Sequence, residues 1–129
     1  AETAIQSAQI KGLEVLSLTP LYHLHDQITG LCEEFGAKLV RDYEGTSLDA
    51  LRIMVGMEMG VTFVPALYAR SEIEGQGEVV VRPIKSHAIT RSVGLVWRKT
   101  AGRASAYRQI ARTIKDVVAR DFKALTIEA

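Results

Sequence analysis

Residues 13–43 read LEVLSLTPLYHLHDQITGLCEEFGAKLVRDY, and the fold turns on this stretch. LEVLSLT (13–19) alternates apolar and polar residues, which is the period of a strand. Thr19-Pro20 then reads as a helix start, with Thr as the N-cap and Pro at the first helical position. Leu24, Ile28, Leu31, Cys32 and Phe35 recur on one helical face, and Gly36 suits the left-handed position that ends such a helix. AKLVRDY (37–43) reads as a second strand.

The pattern continues on both sides. Upstream, Ile5, Ala8 and Ile10 lie in a segment that predicts a short helix ending at Gly12. Downstream, Thr46-Ser47-Leu48-Asp49 predicts a capped helix, with Thr46 as the cap and Asp49 reaching back three residues on. Leu48, Leu51, Val55 and Met59 form its apolar stripe, Ile53 and Met54 widen it, and Gly60 ends it. VTFV (61–64) predicts a short strand stopped by Pro65, followed by a short helix over 66–73 and a Gly75-Gln76-Gly77 turn. VVVRPI (79–84) and TRSVGLVWR (90–98) predict two more strands. The second is long enough to leave one domain and enter another. The longest helix is predicted over 103–125, with Tyr107, Ile110, Ile114, Val117, Val118 and Phe122 on its apolar face. Strands alternating with helices argue for an α/β fold with a largely parallel sheet.

Composition sets the limits. The chain has 129 residues, 47% of them hydrophobic and 24% charged, which suits one globular domain or one lobe of a larger one. Sixteen Lys+Arg against fifteen Asp+Glu leave a net charge of +1, too little for a global field that holds a polyanion. No apolar run approaches the roughly 18 residues of a membrane span, and no secretory signal pattern opens the chain. Cys32 is the one cysteine, so an internal disulfide and a CxxC metal or redox site are both excluded. The expectation is a cytoplasmic setting. The first residue is Ala1 rather than Met, and the chain is expected to be a piece cut from something longer.

In open α/β sheets ligands sit beyond the C-terminal ends of the strands, where helix N-termini face them. Two loops qualify, 19–27 and 44–48, and both favour a carboxylate or another small anion. The loop 65–67 forms a third wall. The first loop is unusual: Tyr22, His23, Leu24, His25, Asp26 and Gln27 bring two imidazoles, a phenol, a carboxylate and an amide into six residues. One reading is a polar helix cap with solvated histidines. A second is a metal site on His23, His25 and Asp26, although residues two apart diverge on a helix and no fourth ligand is near. A third is catalysis with His23 as base, for which no nucleophile-elbow pattern exists. Cys32 falls on the apolar helix face and reads as an inert buried thiol. His87 reads as solvated, Trp97 as packing, and Met54, Met57 and Met59 as core filling. The basic residues Arg98, Lys99, Arg103, Arg108, Arg112, Lys115 and Arg120 read as a solvated helix face, with a nucleic-acid stripe as the alternative. No metal, cofactor or enzymatic motif is expected.

Together, His23-Leu24-His25-Asp26-Gln27, Gly30-Leu31-Cys32, TSLDALRIMV (46–55), GVTFVPAL (60–67) and SVGLVWR (92–98) occur in an order that resembles LysR-type regulators, in the branch of OxyR-type hydrogen-peroxide-inducible activators. The resemblance covers nearly the whole chain. It implies a type II periplasmic-binding-protein-like fold of two Rossmann-like lobes, here the second lobe (1–91) followed by the return strand and C-terminal helix of the first (92–129). It implies an effector domain whose DNA binding belongs to an N-terminal winged helix-turn-helix outside these residues, in a cytoplasmic homodimer or tetramer with no membrane contact. It also places His23 where that branch carries its peroxidatic cysteine, His25 where it carries an arginine, and Cys32 at the resolving position. Imidazole forms neither a sulfenic acid nor a disulfide. The implied function is therefore non-covalent sensing of a small effector through Tyr22, His23, His25, Asp26, Thr46 and Pro65. The alternative is a free-standing small-molecule or solute-binding lobe with no regulatory role.

Overall fold

Val15, Leu16, Ser17 and Leu18 are all buried, so the first strand is covered on both faces rather than half-solvated as its alternation suggests. In the computed structural model, which describes residues 3–85 and 89–128, this strand, β1 (Glu14–Leu18), is the centre of the first of two compact units, residues 1–90 and 91–129. The helix α1 (His23–Phe35) follows, then β2 (Lys38–Gly45) and α2 (Leu48–Gly56). β1 and β2 pair in parallel, Glu14 opposite Lys38 and Leu18 opposite Gly45, with an irregularity between Val15 and Ser17 that β2 absorbs with extra residues. α1 and α2 both pack against β1. Leu24, Ile28 and Cys32 from α1 and Leu51 from α2 close over Val15, Leu16 and Leu18.

On the other edge of β1 the predicted strand 61–64 makes only one parallel bridge, Val15 to Val61. Leu16 N–H donates to the Val61 carbonyl at 2.8 Å, and Val61 N–H donates to the Glu14 carbonyl at 3.0 Å. The Thr62 hydroxyl adds a bond to the Leu16 carbonyl at 2.8 Å. Gly60 lets the chain come this close, because a Cβ there would lie 2.9 Å from the Glu14 carbonyl oxygen. The predicted strand 79–84 is reduced to a bridge between Ile84 and Ile5, and 92–98 has no ladder among the described residues. Apolar, β-branched sequence confers the propensity for a strand, but a strand exists only where a neighbour supplies donors and acceptors.

Helix boundaries also moved. α1 begins at His23, because Thr19–Tyr22 closes a turn in which Tyr22 N–H donates to the Thr19 carbonyl at 3.1 Å. Gly36 does end it, at φ 70°. The cap of α2 is Ser47, not Thr46: the Ser47 hydroxyl accepts from Ala50 N–H at 3.1 Å. Replacing Ser47 with Ala is expected to cost about 0.5–2 kcal/mol, and Thr46→Ala much less, by urea denaturation. Equal costs would return the cap to Thr46. After Pro65 a short helix, α3 (Ala66–Tyr68), runs into a π turn, Ala69–Ile73. Met54 and Met59 pack on the core, but Met57 is 68% exposed.

The second unit consists of the extended segment 92–98 and the helix α4 (Ala104–Asp121). The Trp97 and Tyr107 rings lie 6.0 Å apart. No residue of α4 is buried, and Ile110 and Ile114 are each about half exposed. The helix ends four residues before the predicted boundary, where Phe122 N–H bonds back to the Val118 carbonyl. His87 lies outside the described residues.

Candidate functional site

The C-terminal ends of β1 and β2 are tied by Thr19 N–H to the Gly45 carbonyl, at 3.1 Å. This brings the two candidate loops side by side. The Tyr22 phenol bridges them by donating to the Thr46 carbonyl at 3.1 Å. Tyr22 and Thr46 therefore meet, Thr46 through its backbone.

His25 is held against β1. Its Nδ1 lies 2.8 Å from the Leu18 carbonyl and 3.1 Å from the Ser17 hydroxyl. A carbonyl only accepts, so a hydrogen bond to Leu18 requires the tautomer with its proton on Nδ1. Ser17 is 1% exposed, so β1 itself supplies an inner wall to the imidazole. The Thr29 hydroxyl closes the turn above with a bond to the His25 carbonyl at 2.9 Å. Ser17 had no place in the sequence reading, which took 13–19 only as an alternating strand.

His23 is the first residue of α1 and stands exposed, with Asp26 exposed in the same turn. Pro65 is half-buried at the start of α3. The two helix starts differ. α2 is closed by the Ser47 hydroxyl, whereas no side chain caps α1. One amide of the first turn, His25 N–H, donates to the Tyr22 carbonyl at 3.0 Å; amides at a helix start with no side-chain cap, backed by the positive end of the dipole, favour an anion.

A polar network lies on the outer side of α2. The Tyr68 hydroxyl donates to Asp49 Oδ1 at 2.6 Å, and Arg52 reaches Glu78 at 3.6 Å. Burial first, then the bond to Asp49, pushes the Tyr68 phenol up. The Tyr68 hydroxyl is also the main reason that Arg52 is raised. Asp49 therefore holds Tyr68 instead of reaching back to Thr46. This strap joins α2 to α3.

Cys32 lies inside the core at 4% exposure. Burial first, and the Glu33 carboxylate second, push its thiol up. A folded-state value above the unfolded one means that the folded chain binds the extra proton. The associated stability is intact at neutral pH and is lost as pH rises through the thiol range. The free energy of unfolding is expected to fall above about pH 9, and Cys32→Ala to remove that part of the slope. Tyr68 has the same sign at higher pH. A wild-type slope identical to that of Cys32→Ala would contradict this.

A family model described as the LysR substrate binding domain matches residues 1–119. The chain belongs to the LysR substrate-binding family. That family has the type II periplasmic-binding-protein-like fold, in keeping with the parallel α/β arrangement of the first unit. This LysR-type domain is 35% identical over 111 residues to the DNA-binding transcriptional dual regulator OxyR of Escherichia coli (strain K12), a match over 86% of this chain and 36% of that protein. It is 31% identical over 117 residues to the hydrogen peroxide-inducible genes activator of Haemophilus influenzae, over 91% of this chain and 38% of the relative. The probable hydrogen peroxide-inducible genes activator of Mycobacterium leprae is 25% identical over 119 residues. The chain thus spans little more than a third of the length of the curated relatives it matches. No solved structure matches it. Among the described residues, no helix is long and apolar enough to cross a membrane, and no cluster of three or more His, Cys, Asp and Glu could hold a metal ion.

Proposed function

We propose that this chain is the effector-sensing part of a LysR-type transcription regulator that binds a small anion without covalent chemistry and does not sense peroxide through thiols. One observation carries the reading: imidazole, not sulfur, stands at position 23, and the one thiol, Cys32, is enclosed and held protonated. Peroxide chemistry needs an accessible thiolate and a second thiol to form the disulfide. Neither is supplied by this sequence.

The anion lies at the uncapped start of α1. Tyr22 and Thr46 frame it through their mutual hydrogen bond, and His23 and the Nε2 of His25 offer ring nitrogens. Asp26 orients a neighbouring donor, and Pro65 forms the far wall. Residues 1–91 act as the second lobe of an effector domain, and 92–129 as the strand and helix that return to the first. The half-exposed Ile110 and Ile114 are the kind of surface that such a lobe covers. In the parent protein the effector shifts a two-state arrangement by its difference in affinity for the states, typically about 1–3 kcal/mol. DNA is bound by a winged helix-turn-helix outside this chain, in a cytoplasmic homodimer or tetramer. The chain acts as a receptor and not as an enzyme.

The test is a thermal-shift screen of small carboxylates and phosphates on the chain and on His23→Ala. His23 is exposed, so the variant is expected to melt within a degree or two of the parent and to lose roughly tenfold or more in affinity for any hit. Undiminished binding by His23→Ala, or a mixed disulfide formed rapidly at Cys32 under peroxide and glutathione, would overturn the proposal.

A further inference from the structure

Charge in this chain is segregated. Residues 1–90 hold seven Lys+Arg against twelve Asp+Glu, net −5, while residues 91–129 hold nine against three, net +6. On α4, Arg108, Arg112 and Lys115 are exposed and recur at i, i+4 and i+7, one stripe about 10 Å long. No ion pair neutralises the stripe among the described residues. On α1, Asp26, Gly30 and Glu33 are exposed at the same spacing. Space above Gly30 is open, with nothing within 4 Å of a Cβ built there. Glu33 sits in the last turn of α1, which has no basic residue, so its carboxylate meets the negative end of the helix dipole.

We infer that the basic stripe of α4 in one copy docks on the acidic outer face of α1 in a second copy. In either helix direction Arg108 and Lys115 meet the two carboxylates, and Arg112 crosses over Gly30, where the missing side chain admits its long stem. A cation brought to Glu33 also relieves the mismatch with the α1 dipole. The occupant is an acidic protein surface rather than nucleic acid, because the matching charge and pitch exist on this chain itself. The arrangement leaves Ile110 and Ile114 on the far side of α4, free for the first lobe.

Asp26 belongs both to this face and to the effector rim, so the test is made at Glu33, two turns away. Light scattering of the full chain across a salt series should show a dimer at low salt that dissociates as salt rises. Arg108→Glu with Arg112→Glu, and separately Glu33→Arg, should each weaken self-association about tenfold or more while circular dichroism stays native. Mixing the two variants should restore a heterodimer, since each then supplies what the other lacks. A monomer at every salt concentration, or a dimer insensitive to these reversals, overturns the inference. So does salt-sensitive binding of random-sequence duplex DNA that disappears with the arginine reversals, which would assign the stripe to nucleic acid.

Discussion

Leu51→Ala is expected to lower the stability of the chain by about 2–5 kcal/mol, a large part of the roughly 5–15 kcal/mol that a domain possesses. Leu51 is the fully buried side chain of α2 in the cluster formed with Val15, Leu16, Leu18, Leu24, Ile28 and Cys32, while Leu48, Met54 and Val55 pack on it from partly buried positions. Removing Leu51 subtracts the apolar burial and leaves a void that its neighbours fill only in part. Gly45 explains why they cannot collapse inward: a Cβ at that position would lie 2.9 Å from both Leu51 Cγ and Cδ2, so backbone already rests on the leucine. Backbone held in the β1–β2 ladder moves less readily than a side chain. Ile53→Ala on the same helix is the control, because Ile53 is more than half exposed and its loss should register within about 0.5 kcal/mol. Urea unfolding followed by far-ultraviolet circular dichroism measures both. Equal costs for the two variants would mean that α2 does not seal this core.

Gly60→Ala should be nearly as damaging, for the opposite reason. It adds atoms where none fit. The new methyl would stand 2.9 Å from the Glu14 carbonyl oxygen and 3.2 Å from Leu16 Cγ. The first of these is backbone and already accepts from Val61 N–H, so relief requires prying 60–62 away from β1. That movement threatens both bonds between Val61 and β1 as well as the Thr62 bond to the Leu16 carbonyl. Overpacking of this kind costs about 1–3 kcal/mol and sometimes more. Hydrogen exchange separates this mechanism from a general loss of stability. The Leu16 and Val61 amides should lose protection beyond the global change, whereas amides in the interior of α1 should follow the global change alone. A variant as stable as the parent would show that the close approach at Gly60 is not required.

The residues that face the core of α1 were legible because helical periodicity is a local property. Leu24, Ile28, Leu31, Cys32 and Phe35 are all buried. The left-handed Gly36 was legible for the same reason, since the conformation is a cost that most other residues resist. Within the candidate site, the adjacency of the loops around Tyr22 and Thr46 followed from parallel pairing of the strands before them. The exchange of cap from Thr46 to Ser47 was not legible. Two neighbouring hydroxyls suit the role equally well, and the choice depends on where β2 releases the chain at Gly45. The engagement of His25 with Ser17 and the Leu18 carbonyl was hidden as well, because it joins a helix to the strand beneath it and no local spacing encodes that distance.

By itself, the sequence determined the alternation of strand and helix, the apolar face of each helix, the presence of one thiol and the imidazole at position 23. These depend on residue type and on spacing within a few turns. Tertiary structure decided which apolar segments became strands, that β1 is covered on both faces, that Cys32 is sealed, and that α1 rather than α2 keeps its N-terminal amides free of a side-chain cap. Each of those outcomes depends on what a distant part of the chain brings into contact, and hydrogen-bond partners and burial are properties of the pair, not of either member.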